Sequence, residues 1–231
     1  MKNNDEEVSP YTGHTDCLTH EFLNTAYPCL NEKQLGIGET TITGRKALVN
    51  KKGMFMIEEL QRIVLQRCTT ARDAIRLMGE LIEKYGYGDW GECLTIADPK
   101  EVWHFEVFGE GPDKIGGVWA AIRIPDDHVG VSANIPRISK VDPKDTDNCM
   151  ASANVFEVAK RMGFWDGKKP FRFWEAYAGG NYAGELKSFS IREFFILNKL
   201  APSLRLSYDA EELPISVKPD RQVSVTDVMA L

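Results

Sequence analysis

The chain has 231 residues, of which 43% are hydrophobic and 27% charged, and its formal net charge is -6. This balance is typical of a globular domain long enough to bury a core. The acidic charge argues against a general nucleic-acid partner, because phosphate binding needs a basic surface. No apolar run is long enough to cross a bilayer, so no membrane partner is expected.

The first 26 residues are polar and acidic and are predicted to form an arm or loop, which leaves residues 27–231 as a single domain. They lack the apolar segment of a signal peptide, and the cellular compartment stays open. The cysteines are odd in number and form no Cys-x-x-Cys pair, so mostly free thiols are expected. They are Cys17, Cys29, Cys68, Cys93 and Cys149.

The stretch "HTDCLTH" places His14, Cys17 and His20 three residues apart, which superficially resembles zinc-ligand spacing. A fourth ligand is not evident, and solvated side chains are the better interpretation in a polar arm. We therefore expect no metal and no cofactor.

The stretch "NEKQLGIGETTITGR" predicts a strand from Asn31 to Thr43, with a turn at Thr43-Gly44. Gly38 and Gly44 are six apart, as in a phosphate-binding loop, but Arg45 and Lys46 follow where Lys-Ser/Thr is required. A strand whose glycines allow close backbone packing is favoured.

Two helices follow this strand. Helical spacing of apolar residues predicts one over Phe55–Arg67 and another over residues 71–85. Thr70 is a suitable N-cap for the second helix, and Gly86 is a suitable C-terminal stop.

After the second helix, the spacing of apolar residues changes to the two-residue alternation typical of strands. "GECLTIADPKEVWHFEVFG" predicts two strands joined at Asp98-Pro99-Lys100, and "GGVWAAIRIP" and "DHVGVSANIP" predict two more. Because the strands are apolar on both faces, they must be covered on both. Together with the helices, they indicate an α+β fold with a sheet between a helix layer and a second sheet.

The remaining chain predicts a helix over residues 152–162 and an apolar element in "KSFSIREFFILNKLAP", either helix or strand, which ends at Pro202. The tail closes with a short helical start.

Several polar residues are candidates for a functional site. His104, inside an apolar strand, is more typical of a satisfied core residue than of a catalyst. His128, Ser132 and Asn134 share one face of "HVGVSAN". An asparagine amide at a strand end can donate to an oxyanion, although a hydrogen-bonded loop asparagine is the more common case.

Two stretches together, "NEKQLGIGETTITGR" and "ECLTIADPKEVWHFEVFGEGPDKIGGVWAAIRIPDDHVGVSANIPRI", resemble the C69 dipeptidases. These are N-terminal-nucleophile cysteine hydrolases related to penicillin V acylases and bile-salt hydrolases. The resemblance implies an αββα sandwich and hydrolysis of a small peptide substrate, usually a dipeptide. It also implies a cysteine nucleophile at the mature N-terminus, with its own α-amine as the base.

Catalytic residues are carried over by motif. Asn134 matches the asparagine that holds the oxyanion, and the strand end "ETT" matches the segment that lends a backbone donor, with Thr41 the best position. Arg192, in "SIREFF", falls where related hydrolases keep an active-site arginine.

Substrate-binding residues are carried over in the same way. Glu39 and Thr40 lie beside Thr41, and Arg137 stands where many family members carry an arginine after an Asn-Gln pair. Ile135 occupies the position where the family has the glutamine.

The chain begins "MKNNDEEV", without the family's cysteine-led opening. We therefore expect the first strands of the domain to be missing and the chain to be nearly silent in catalysis. Unpaired sheet edges would favour a homo-oligomer. The alternatives are a non-catalytic binding or assembly protein on the same scaffold, and an acylase acting on non-peptide amides.

Overall fold

The computed structural model describes residues 19–179 and 187–231 and confirms the α+β class. The strands are β1 (Gly36–Thr41), β2 (Glu92–Ala97), β3 (Val102–Gly109), β4 (Gly117–Ile124), β5 (Val129–Gly130), β6 (Cys149–Ala151) and β7 (Ser216–Val217). Five of them form an antiparallel sheet in the order β1-β2-β3-β4-β6, and β5 pairs with β7.

The helices are α1 (Ile57–Arg67), α2 (Ala71–Tyr85), α3 (Val155–Arg161), α4 (Phe173–Tyr177), α5 (Lys187–Leu200) and α6 (Val225–Met229). The predicted cap of α2 is confirmed, because the Thr70 side chain accepts a hydrogen bond from the backbone N–H of Asp73. Gly86 ends the helix at a φ of +84°, a conformation that glycine adopts without strain.

The large sheet is buried on both faces, as its sequence predicts. Helices α1 and α2 share a core with one face, which includes Trp103, Phe105 and Val107. Residues of α3 and α4 share a core with the other face, which includes Phe108 and Val118. Within the described residues, helices therefore cover both faces of this sheet.

The structure corrects two strand predictions. The strand predicted from Asn31 begins at Gly36, and "DHVGVSANIP" forms only the two-residue β5. After β5, Asn134 has a φ of +58°, outside the range of a strand. The backbone N–H groups of Arg137 and Ile138 then bond to the Glu106 side chain and not to a neighbouring strand.

Other predictions concern the chain's ends and its membrane character. The apolar element "KSFSIREFFILNKLAP" is a helix, α5. His14 and Cys17 lie outside the described residues, whereas His20 lies 3.3 Å from a carboxylate oxygen of Glu32. No helix in the described ranges has the length and apolar character needed to span a membrane.

Gly79 lies where α2 packs closely against Trp119 of β4. A Cβ at this position would lie 2.4 Å from Cζ2 of Trp119, far inside van der Waals contact. We expect Gly79→Ala to lower the free energy of unfolding by about 1–3 kcal/mol, because overpacking outweighs the gain of about 1 kcal/mol in helix propensity. Urea unfolding measures this difference. The exposed Glu80→Ala on the same helix is the control, and equal stability of Gly79→Ala and wild type would contradict the close approach.

Candidate active site

Three residues from separate stretches of the chain meet at the end of β1. The Asn134 Nδ2 donates a hydrogen bond of 2.9 Å to the Thr41 carbonyl oxygen. Arg192, on α5, donates to Asn134 Oδ1 at 3.2 Å and to the Ala133 carbonyl. The side-chain amide of Asn134 is therefore held between the sheet edge and a helix.

The backbone of Thr41 faces outward from the sheet. The Ile37 N–H bonds to the Cys29 carbonyl at 2.8 Å, on the side away from β2. In an antiparallel strand, the backbone groups of alternate residues point to the same side, so Glu39 and Thr41 point outward as well. The Thr41 N–H is thus directed to the edge where Asn134 lies.

Glu39 and Thr40 point to opposite faces of β1, as consecutive strand residues do. The Thr40 hydroxyl lies 2.6 Å from the Ser132 hydroxyl. Thr41 Oγ1 donates to the Glu39 carboxylate at 3.1 Å. Thr40 therefore contacts the loop that carries Asn134, and Glu39 contacts Thr41 itself.

A buried polar chain continues from Ser132 across the sheet. Its hydroxyl lies 3.0 Å from Cys93 Sγ, which lies 3.5 Å from His104 Nε2, and that nitrogen lies 2.9 Å from Glu106 Oε1. Burial disfavours the charged imidazole, but Cys93 and the Glu106 carboxylate raise the pKa of His104 to about 10. His104 is thus a satisfied buried residue, as its position in the strand predicts.

Cys93 and His104 do not have the geometry of a nucleophile and its base. Both ring nitrogens lie at similar distances from Sγ, 3.5 and 3.7 Å, and Nε2 is the nitrogen that contacts Glu106. A catalytic pair instead uses one ring nitrogen for the nucleophile and the other for the carboxylate. Cys93 is also fully buried.

Glu106 and Arg137 fix the loop that follows Asn134. The Glu106 carboxylate accepts hydrogen bonds from the backbone N–H groups of Arg137 and Ile138, the latter at 3.1 Å. The Arg137 Nη1 lies 2.7 Å from Glu193 Oε2 on α5, and both side chains are fully buried. Burial raises the pKa of Glu193 to about 7, although Arg137 opposes this shift. Arg137 is therefore held by protein groups, and substrate binding by it stays a prediction.

On the opposite face of the sheet, a second carboxyl group lies near Glu39. Glu92 is 3% exposed. Burial, together with the hydrogen bond and the charge of Glu39, raises the pKa of Glu92 to about 10. Glu92 therefore keeps its proton at neutral pH.

Sequence reasoning missed Glu92, Glu106 and Glu193. For Glu106, the available signal was a charged side chain inside the apolar strand "VWHFEVF". Apart from His104, the partners of all three come from distant parts of the chain, so no local pattern indicates them.

A cavity of about 410 Å³ opens at the β2–β3 turn, at the far end of the sheet from Thr41. Its lining includes Thr95, His104 and His128 but not Thr41, Asn134 or Arg192. We place the candidate site at Asn134, because the motif residues meet there. In the described part of the chain, no group of three or more His, Cys, Asp or Glu residues could hold a metal ion.

The buried carboxylate of Glu106 predicts a large effect on stability. Glu106→Ala removes the partner of His104 and of two backbone N–H groups, so we expect the free energy of unfolding to fall by about 3–5 kcal/mol. Chemical denaturation measures it. Glu59→Ala, which removes an exposed ion pair with Arg62, should change stability by less than about 1 kcal/mol. If Glu106→Ala and Glu59→Ala lowered the free energy of unfolding equally, a structural role for Glu106 would be contradicted.

The raised pKa of Glu92 predicts a pH dependence. Above its ordinary pKa of 4.5 the unfolded chain loses this proton, whereas the folded chain keeps it up to about pH 10. Stability from this group therefore falls as pH rises through that window, by up to about 1.4 kcal/mol per pH unit. We expect Glu92→Gln to be more stable than wild type at pH 9 and the difference to shrink toward pH 5. Melting temperatures of Glu92→Gln and wild type across this pH range test the prediction. A difference between the two that does not change with pH would contradict the raised pKa of Glu92.

Comparison with known proteins places these residues in a family. The sequence model of peptidase family C69 matches residues 18–231. A probable dipeptidase of Salmonella dublin is 31% identical over 98% of this chain and 53% of its own length. A probable dipeptidase of Latilactobacillus sakei is 28% identical over 72% of this chain and 33% of its own length. A probable dipeptidase B of Streptococcus pyogenes serotype M3 is 26% identical over 87% of this chain and 39% of its own length. The chain thus spans about half the length, or less, of these relatives, and it belongs to peptidase family C69.

Proposed function

We propose that the chain carries the oxyanion-binding part of a dipeptide-hydrolysing site of the N-terminal-nucleophile type, within a single domain over residues 27–231. The observation that carries this proposal is the hydrogen bond between the Asn134 amide and the Thr41 carbonyl. It brings a side-chain amide to the outward-facing backbone of Thr41. Two N–H donors of different origin that converge on one point are what a tetrahedral oxyanion requires.

In the proposed reaction, the thiolate of an N-terminal cysteine attacks the carbonyl carbon of the dipeptide. A C–S bond forms, and the carbonyl π electrons move to the oxygen. The second N–H of the Asn134 amide and the Thr41 N–H donate to that oxygen. When the C–N bond breaks, the departing amine takes its proton from the nucleophile's α-ammonium group, and water then hydrolyses the thioester.

Arg192 has a positioning role in this proposal. By donating to Asn134 Oδ1, it fixes which end of the amide faces Thr41, so that the nitrogen and not the oxygen is presented there. Thr40 supports the same loop through Ser132. The burial of Arg137 and its ion pair with Glu193 support a role in holding the loop, in place of the direct substrate contact expected from the sequence.

The cysteine nucleophile is the part of the mechanism for which the described residues offer no candidate. Cys68, Cys93 and Cys149 are buried, and Cys29 is partly exposed. Within the described part of the chain, none of these thiols hydrogen-bonds to Asn134. We therefore expect the chain on its own to turn over dipeptides no faster than the uncatalysed reaction.

A dipeptide panel tests the expected lack of turnover first, and the role of Asn134 wherever turnover is found. If wild type shows turnover, Asn134→Ala should lower kcat by about 10²–10³-fold, because an oxyanion donor is lost. Asn148→Ala is the matched control, since Asn148 is an exposed loop asparagine that bonds to Asp145. Chromatographic separation of the released amino acids gives the rates.

The outcomes separate the alternatives. Turnover that survives Asn134→Ala combined with replacement of all five cysteines would overturn the mechanism. Saturable dipeptide binding without turnover would favour a binding protein on the same scaffold. Hydrolysis of N-acyl amides but not of dipeptides would favour an acylase.

A further inference from the structure

The cavity of about 410 Å³ at the β2–β3 turn lies between the large sheet and the short β5–β7 sheet. The large sheet contributes lining residues that include Thr95 and His104, and β5 contributes Val129 and Gly130. Its volume is in the range in which proteins bind small molecules. The proposed hydrolysis makes no use of this cavity.

The floor of the cavity is a part of the large sheet that the chain leaves uncovered. Thr95 lies within β2, paired with Gly38 of β1 and His104 of β3. Cys93, two residues earlier on the same face, is fully buried. Thr95 is nevertheless exposed, and a Cβ at Gly38 would meet no atom within 4 Å. In the described part of the chain, therefore, nothing packs on the sheet here.

The walls of the cavity are mainly apolar. They include Val102, Ile124, Pro125, Val129, Val131 and Ile215. Four of these side chains are only partly buried, namely Val102, Val129, Val131 and Ile215, so they still present apolar surface to water. A ligand with an apolar body would remove that surface from water, which is the main source of favourable binding free energy in such pockets.

The carboxylates that line the cavity are already engaged by the protein. Asp98 accepts hydrogen bonds from three backbone N–H groups at 2.7–3.0 Å. Glu101 lies between Arg72 and Arg123, at 2.7 and 3.2 Å. Asp126 also pairs with Arg123, at 2.5 Å. A cationic ligand would have to compete with these partners, so the cavity does not favour one.

Lys100 is the one lysine or arginine in the described lining of the cavity. No carboxylate of the described residues forms an ion pair with its ammonium group. Among the described residues the Thr95 hydroxyl on the floor has no hydrogen-bond partner either, so two polar groups in the lining are available to a ligand. An ammonium group pairs best with an anionic oxygen, and a hydroxyl can donate to the same oxygen.

A closed contact separates the cavity from the candidate site. Thr40 and Cys93 form the pair of β1 and β2 residues that lies one step nearer to Thr41 than Thr95 does. The Ser132 hydroxyl lies 2.6 Å from the Thr40 hydroxyl and 3.0 Å from Cys93 Sγ. These contacts close the sheet face on the side toward Thr41, so a molecule in the cavity is held apart from the proposed oxyanion donors.

We propose that this cavity is a second binding site, which takes a small apolar monocarboxylate such as a short-chain fatty acid. The apolar body lies on the floor at Thr95 and against the walls at Val129 and Val131, and the carboxylate pairs with Lys100. This inference goes beyond the proposed function and does not depend on where hydrolysis takes place.

The test compares three probes that share one apolar body, by calorimetry and ligand-observed NMR on the full chain. Hexanoate carries the carboxylate, hexanol replaces it with a neutral hydroxyl, and hexylamine replaces it with an ammonium group. We expect hexanoate to bind with a Kd of about 1 mM or below, as a ligand of this size permits. Hexanol should bind about three- to tenfold more weakly because it lacks the ion pair, and hexylamine more weakly still.

Variants assign the binding to the cavity. Lys100→Gln should bring hexanoate down to the affinity of hexanol, whereas Lys144→Gln, which removes an exposed lysine elsewhere, should not. Thr95→Phe, which places a ring in the cavity, should weaken all three probes about tenfold or more. Because Lys100 is exposed at a turn, Lys100→Gln keeps the test valid if Thr95→Phe fails to fold. Circular dichroism checks the fold of each variant.

Several outcomes would overturn the second site. They are hexylamine binding as tightly as hexanoate, a hexanoate affinity that Lys100→Gln leaves unchanged, and no hexanoate binding at about 10 mM. Displacement of hexanoate by Ala-Ala would show that the cavity belongs to the dipeptide site, which would also contradict the proposal. Hexanoate binding that persists in saturating Ala-Ala supports it, whether or not the chain hydrolyses dipeptides.

Discussion

The carboxylate of Glu106 sets the position of the loop on which the candidate site depends. A charge on the central strand of a buried sheet is costly unless hydrogen bonds replace the lost water. Glu106 obtains these bonds from His104 and from the backbone N–H groups of Arg137 and Ile138. The chain after β5 must therefore approach β3, and this approach carries Asn134 to the open end of β1.

The two faces of the sheet differ in how their charges are satisfied. On the α3 side, Glu106 meets His104, and Glu193 meets Arg137, so the buried charges on that side occur in pairs. On the α1 side, Glu39 and Glu92 are close to each other, and Glu92 remains protonated. A paired network rigidifies what it holds, whereas two adjacent carboxyl groups do not both ionise readily, so one of them keeps its proton. One face thus holds the loop through ion pairs, and the other carries an acid pair that makes stability depend on pH.

The sequence predicts best those parts of the fold that depend on local periodicity. Helices α1 and α2 and the β2–β3 hairpin follow from apolar spacing, from Thr70 and from Asp98-Pro99-Lys100. The same reasoning fails at β5, because the backbone at Asn134 has a φ of +58° and its side chain bonds to Thr41, far away in sequence. Alternation in "HVGVSAN" carries no sign of that contact.

In the candidate site, too, some features can be predicted from the sequence and others depend on contacts between distant residues. Thr41, Asn134 and Arg192 are indicated by family resemblance and not by periodicity, and their mutual contacts emerge only when the chain is folded. Glu92, the first residue of β2, has the pattern of an exposed strand end. It is nevertheless only 3% exposed, which its place at the strand end does not indicate.

The backbone of Asn134 limits how this position can evolve. Its φ of +58° is strained for most side chains and comfortable for asparagine, aspartate and glycine. Of these three, asparagine alone has an uncharged amide that can donate hydrogen bonds. Few substitutions at this position therefore keep both the backbone conformation and the hydrogen-bond donor. On the proposed mechanism, a lineage that no longer needs the oxyanion donor would accumulate aspartate or glycine here, so the residue at this position in other members reports whether that donor is still under selection.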